Sequence, residues 1–192
     1  MLMDVEEAIK KRRTIRRFKQ DPIPLETLKK LIDLARVAPM AKNIQALEFI
    51  IVREKKNVEE LFELIKFASS LPEAMRTPEK GREPTAYIIV LVNTNIKAGY
   101  VDFDVGAAVE NILLGAVKHG IGTCWMGNIN TSKIHDYFQI EDFYDIKHVI
   151  SLGYPDEVSK IERFEGSFKY WKDEKGMHVP KRALQEVILK IK

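Results

Sequence analysis

The stretch Arg12-Arg13-Thr14-Ile15-Arg16-Arg17-Phe18 sets four guanidiniums beside one hydroxyl, directly after a short segment in which Val5, Ala8 and Ile9 recur at helical spacing. Arginine presents a planar fork of donors that matches two phosphate oxygens at once and stays charged at any working pH, and the Thr14 hydroxyl adds a shorter hydrogen bond. The stretch reads as an anion site. Taken alone it has a second reading, in which Lys10 to Arg13 only offset the macrodipole at the end of a helix over residues 4–13. Ile15 and Phe18 anchor the segment in either case, so the remainder of the chain has to decide.

Composition narrows the field. With 192 residues, 45% hydrophobic and 31% charged, the chain suits one substantial core and a single domain over 1–192. A net charge of +3, from 31 basic and 28 acidic residues, makes any basic patch local and argues against a dedicated nucleic-acid binder. Cys124 is the single cysteine, which excludes an internal disulfide framework and suits a reducing compartment. Asp4, Glu6 and Glu7 stand where a signal peptide would place its apolar run, and no run approaches the ~18 apolar residues of a membrane span. The expectation is a soluble, cytoplasmic protein with no membrane partner.

Outward from the arginines, Asp21-Pro22-Ile23-Pro24 breaks the chain. The spacing of Leu25, Leu28, Leu31, Ile32 and Ala35 then predicts an amphipathic helix from about Pro24 to Val37. A loop from Pro39 to Gln45 leads to a predicted strand over 47–52. Asn57 and Glu60 form a capping-box pattern for a helix carrying Val58, Leu61, Phe62, Ile65 and Phe67. Residues 72–85, with three prolines and Gly81, read as a mobile loop of the length that often makes a lid. Residues 86–92 form a continuous apolar run, expected as a buried central strand. Residues 102–119 make the most apolar helix, buried on all sides within the monomer or against a partner, with Gly120 at its C′ position. Short elements follow: a strand over 121–125, a helix over 131–138 capped by Thr131 or Ser132, and a strand over 147–152. From Asp156 the tail reads as polar until Leu184, Val187, Ile188 and Ile191 restore a helical spacing, and it is expected to wrap a second subunit. The sum is an α+β layer, a four-stranded sheet with room for an edge strand and helices on both sides. A doubly wound parallel sheet is disfavoured, because Gly120-Ile121-Gly122 lacks the third glycine of the dinucleotide turn.

No side-chain chemistry offers itself. His119, His135, His148 and His178 show no ligand spacing with a carboxylate or with Cys124, and Cys124 lies in an apolar strand as a packed thiol. With no nucleophile or metal set, the chemistry has to come from a bound cofactor.

The pieces resemble a family. Arg12-Arg13-Thr14-Ile15-Arg16-Arg17-Phe18 is similar to the Arg-Arg-Ser-Ile-Arg-x-Phe opening of the FMN-dependent nitroreductases. The segment from Ala38 to Gln45 resembles their Ala-Pro-Ser-x-x-Asn-x-Gln loop, and residues 104–114 resemble their long central interface helix. Gly120 to Gly127 is similar to the strand edging the flavin, Leu152-Gly153-Tyr154-Pro155 to the turn that follows, and Pro180 to Val187 to the basic C-terminal segment. The resemblance implies a central, mostly antiparallel sheet flanked by helices, and a homodimer holding two FMN molecules at its interface, with the C-terminal tail reaching the partner subunit. It gives Arg12, Lys181 and Arg182 the FMN phosphate, with Arg13 beside them, and Thr14 the ribityl or phosphate oxygens. Arg16 takes the pyrimidine edge, Asn43 and Gln45 polar contacts from the other subunit, and Met126 and Gly127 the N5 side. It implies no catalytic side chain: NADH or NADPH reduces the flavin, and a nitroaromatic, quinone or similar small-molecule acceptor then takes the electrons. Ala46-Leu47, Asn128 and Met40-Ala41 depart from the family pattern. They leave room for a flavin-binding sensor or storage module without turnover, and for a specialised dehalogenating or oxidative member.

Overall fold

A computed structural model describes residues 3–192. The helices are Val5–Lys11 (α1), Leu25–Arg36 (α2), Lys55–Glu63 (α3), Glu73–Arg76 (α4), Val101–Lys118 (α5), Thr131–Phe138 (α6) and Leu184–Val187 (α7). The strands are Phe18–Lys19 (β1), Leu47–Val52 (β2), Ala86–Asn93 (β3), Gly122–Met126 (β4), Tyr144–Pro155 (β5), Ser159–Arg163 (β6), Trp171–Asp173 (β7) and Gly176–Lys181 (β8).

Five strands form the main sheet, and every ladder in it is antiparallel, which removes the doubly wound alternative. β5 is its organiser. The strand is twelve residues long and pairs with β3 along one edge; along the other it takes β4 and then β1, with Phe18 opposite Pro155. Side chains alternate across a strand, so the sheet feeds two cores. Ile88, Val90, Ile150 and Leu152 face α2 and α5, whereas Tyr87, Ile89, Leu91 and Val149 face Val58 and Leu61 of α3 and Ile134 of α6. β3 is buried on both faces, as its unbroken apolar run requires.

The long helix α5 is covered on one side by α2. A β-carbon at Gly115 would stand 2.4 Å from Leu34 Cδ1, so the absent side chain lets the two helices close up. Gly106 meets nothing within 4 Å, and Phe103 is exposed. Within the described chain α5 is therefore covered by the sheet and by α2, and the face that carries Phe103 stays open. The apolar face expected of α1 is also open, since Val5 and Ile9 are exposed and Ala8 alone is buried.

Three local readings are corrected. α3 begins at Lys55 after Glu54, without a side-chain cap, and ends at Glu63, so Asn57 sits inside it and Ile65 and Phe67 lie beyond it. α6 is capped by Asn130, whose side chain accepts from the Lys133 N–H at 3.2 Å. The tail from Asp156 is no featureless polar run: β6, β8 and β7 build a second, three-stranded sheet, with β6 parallel and β7 antiparallel to β8. Asp173-Glu174-Lys175-Gly176 turns the β7–β8 hairpin, with Gly176 at φ 118° where a β-carbon would meet the Val158 carbonyl.

Candidate active site

The Arg-rich segment is laid against the outer edge of β4. Ile15 N–H donates to the Thr123 carbonyl at 2.9 Å, and Thr14 bridges Thr123 in parallel register. Two glycines make the approach possible. A β-carbon at Gly122 would stand 2.8 Å from Cβ of Ile15, and one at Gly153 would stand 2.7 Å from Cβ of the fully buried Phe18. Gly120-Ile121-Gly122 thus has a packing explanation: Gly120, at φ 69°, ends α5, and Gly122 admits Ile15.

Arg12 ends α1 and stands 3.7 Å from Glu110 of α5. With Thr14, Glu110, Leu113, Thr123 and Trp125 it lines a cleft of about 280 Å³. Trp125, on the α5 face of β4, is partly exposed there, and its ring meets His148 of β5 edge-on with centroids 5.2 Å apart. His148 in turn lies beside Gly127, where a β-carbon would be 3.5 Å from the imidazole Nδ1. That nitrogen is buried without a partner, and burial pulls the imidazole below its ordinary range, so the ring is neutral at pH 7. A basic end, two hydroxyls, an indole face and a neutral imidazole therefore follow one another along β4.

The other candidate residues lie elsewhere in the chain. Arg13 folds back on α1, donating to the carbonyls of Arg12 and Lys10, and lines a neighbouring cavity with Lys11, Gly120 and Ser159. Burial, then the charge of Arg12, lowers its pKa. Its backbone contacts are those of the helix-end reading. Arg16 donates its backbone N–H to Glu157 Oε1 at 2.6 Å, its guanidinium carbon lies 5.0 Å from the centre of the Tyr170 ring, and its Nε is buried without a partner. Asn43 and Gln45 are exposed at φ 56° and 57°, in a loop fastened where Ala41 N–H donates to the buried Asp104 Oδ1 at 2.8 Å. Asp104 precedes Glu110 on α5 by six residues, a rise of about 9 Å, so this loop stands more than a turn and a half from Arg12 along the helix. The Met126 side chain is buried in the α3/α6 core, and Gly127 follows the end of β4 beside His148. Lys181 and Arg182 are exposed at the end of β8.

Arg17, absent from the expected set, is the most deeply buried cation. Its side chain is 1% exposed, and Nε donates to Glu79 Oε2 at 2.7 Å. Nη2 reaches the Met75 carbonyl at 3.1 Å, and Nη1 faces the buried Glu157 at 3.6 Å. The 72–85 segment is thereby tied down, and it carries the α4 turn where the sequence reads as mobile. Arg82, paired with Asp156 at 2.6 Å, adds a second tether. A carboxylate sixty or more residues away leaves no trace beside Arg17 in the sequence, so its partner was not legible. Trp125 and His148 were also missed, although alternation from Cys124 in an edge strand would have turned Trp125 to the opposite face. Burial pushes the Cys124 thiol up to about 11, so it is a neutral, packed group. Among the described residues no group of three or more His, Cys, Asp or Glu could hold a metal ion, and no helix is long and apolar enough to cross a membrane.

The fold is an α+β domain in which an Arg-rich segment lies along one edge of an antiparallel sheet. Residues 9–154 match the profile of the Nitroreductase family, and the chain belongs to that family. It is 32% identical over 161 residues to a candidate NADH dehydrogenase/NAD(P)H nitroreductase of Methanothermobacter thermautotrophicus, covering 81% of this chain and 79% of the relative. It is 31% identical over 174 residues to a protein of the same description from Archaeoglobus fulgidus, covering 85% of this chain and 94% of that one. A solved structure from Desulfovibrio desulfuricans, described as a candidate nitroreductase in complex with FMN, has the same fold, with a TM-score of 0.72 at 21% identity over 98% of this chain and 96% of that one.

Proposed function

We propose that the protein is an FMN-dependent NAD(P)H oxidoreductase that works as a homodimer, with FMN in the cleft between Arg12 and Gly127. Bound FMN supplies hydride and electron transfer from NADH or NADPH to a nitroaromatic, quinone or similar acceptor, and the chain's residues hold and orient it. The observation that carries the reading is the order of groups along β4: Arg12 and Thr14 suit a phosphate, Trp125 a ring system, and the backbone around Gly127 a polar ring edge. The cleft lining holds no cysteine, lysine or serine to act as a nucleophile, which fits chemistry that depends on positioning. His148, with an unpartnered ring nitrogen, can like the two hydroxyls exchange a hydrogen bond without adding charge.

The exposed apolar surface of one chain supports the dimer. Val5, Ile9 and Phe103 are exposed, as are Leu184, Val187, Leu189 and Ile191 of the tail, an apolar surface that a second copy would cover. In the same assembly Asn43 and Gln45 would approach the FMN of the opposite chain, and Lys181 and Arg182 would join Arg12 at the phosphate. The visible spectrum of freshly purified protein, followed by anaerobic addition of NADPH and NADH, tests the proposal. Yellow protein that bleaches with either donor and recovers with a quinone is expected; protein that takes up no FMN overturns it, and yellow protein inert to both donors leaves a sensor or storage module.

A further inference from the structure

Each strand of the small sheet contributes to one buried imidazole. His178 of β8 faces Glu162 of β6, with Nδ1 2.6 Å from Oε1, and Asp173 of β7, with Nε2 3.0 Å from Oδ1. Its ring lies flat on Trp171 of β7, with centroids 5.0 Å apart and planes 5° apart. A neutral imidazole has one N–H and one lone pair, so between two carboxylates it can satisfy one and must present its lone pair to the other. Only the imidazolium donates to both. Lys160 is the ladder partner of His178 on β6, and Lys175 in the turn donates its backbone N–H to Asp173 at 2.7 Å, whereas Lys172, opposite Met177, lies on the other face of the sheet toward Arg17 and Glu157. From His178 the strand runs through Val179 and Pro180 to Lys181, where the Phe164 N–H donates to the Lys181 carbonyl at 3.0 Å.

We propose that His178 is a positioning residue whose imidazolium, clamped between Glu162 and Asp173, fixes the strand that presents Lys181 and Arg182 to the phosphate of FMN held between two copies of the chain. The inference rests on the FMN reading above. Glu162 first and Asp173 second hold the His178 proton above the ordinary imidazole range. A raised pKa in the folded protein means that the clamp contributes fully below the ordinary value near 6.5 and is lost as pH rises through the folded value. The clamp is thus closed on the acid side of that transition and released on the alkaline side, and FMN is held less tightly once the strand is freed.

Trp171 reports the ring directly, because a stacked imidazolium quenches indole emission. In a Trp125→Phe background, emission titrated between about pH 6 and 10 is expected to rise as His178 loses its proton. His178→Gln should remove that transition, and Glu162→Gln, which withdraws one carboxylate, should move it to lower pH and serves if the first variant fails to fold. FMN dissociation constants measured over the same range should loosen severalfold in step with the Trp171 transition, and not in His178→Gln or Lys181→Ala/Arg182→Ala. A Trp171 transition unaccompanied by weaker FMN binding overturns the positioning role, and no transition overturns the clamp. Failure to bind FMN at any pH overturns the cofactor reading and the positioning role with it, while the emission titration still decides whether the clamp exists.

Discussion

The guanidinium of Arg17 and the carboxylate of Glu79 meet at 2.7 Å across 62 residues of sequence, joining the end of the Arg-rich segment to the middle of the 72–85 segment. Arg17 is fully enclosed, and Glu157 closes the other side. Removing one partner of such a cluster leaves a buried charge without compensation, so Arg17→Ala is expected to destabilise the fold by ~3–5 kcal/mol in urea denaturation. Limited proteolysis should then open first between residues 72 and 85. Unchanged stability would show that the cluster contributes nothing net.

The same contact sets an acid limit. The hydrogen bond from Arg17 holds the Glu79 carboxyl down to about 2, against an ordinary value of 4.5. A depressed folded pKa means that its contribution is present above the ordinary value and fades as pH falls through the folded one. The stability difference between wild type and Glu79→Gln should therefore shrink as pH drops from 4.5 toward 2. Glu79 is more than half exposed, so screening will make the difference small and salt-dependent. A gap that widens with acid would reverse this account.

Arg12 makes only a loose, partly exposed ion pair, with Glu110, so Arg12→Ala should leave the fold intact while weakening FMN binding by ~1.5–3 kcal/mol if one charged hydrogen-bond pair is lost. Glu110→Gln should do the opposite, since it removes an anion from the cleft and frees Arg12 for phosphate. Flavin titrations of both variants, at two ionic strengths, check the pair. Equal affinity in all three proteins would place the phosphate somewhere other than beside Arg12.

Two glycines separate packing from association. Gly122→Ala would drive a β-carbon into Ile15 and lift the Arg-rich segment from β4, at roughly 1–3 kcal/mol for overpacking. Gly106→Ala meets nothing in the chain and should gain about 0.5–1 kcal/mol of helix propensity as a monomer, while crowding any helix that packs on that face. Thermal unfolding and sedimentation of the two variants give the answer. A Gly106→Ala protein that still dimerises as wild type does would move the interface off that face of α5.

The elements legible from sequence were those whose own periodicity defines them. β3 reads as buried because it is apolar without a break, and α2 because Leu28, Leu31 and Ala35 share a face that the structure buries. The Arg-rich segment was readable as chemistry, and its seat beside Thr123 follows from apolar anchors meeting two glycines. What stayed hidden depends on pairings over long stretches of chain. The three-stranded sheet has strands of three to six residues with mixed polarity, and nothing local tells that β6 lies parallel to β8. Arg16 and Arg17 are neighbours of the same chemical type as Arg12, yet Tyr170 and Glu79, far along the chain, decide where they point.

β5 also bears on biosynthesis. Because Phe18 pairs with Pro155, and β3 and β4 both pair with β5, an emerging polypeptide cannot complete its main sheet until residues 144–155 have left the ribosome. Until then β3 can pair with β2 alone, and its other edge, largely apolar, lacks its partner. Closure waits for β5, so a nascent chain that lacks it would present an aggregation-prone strand edge and the Arg-rich segment to whatever chaperone attends it.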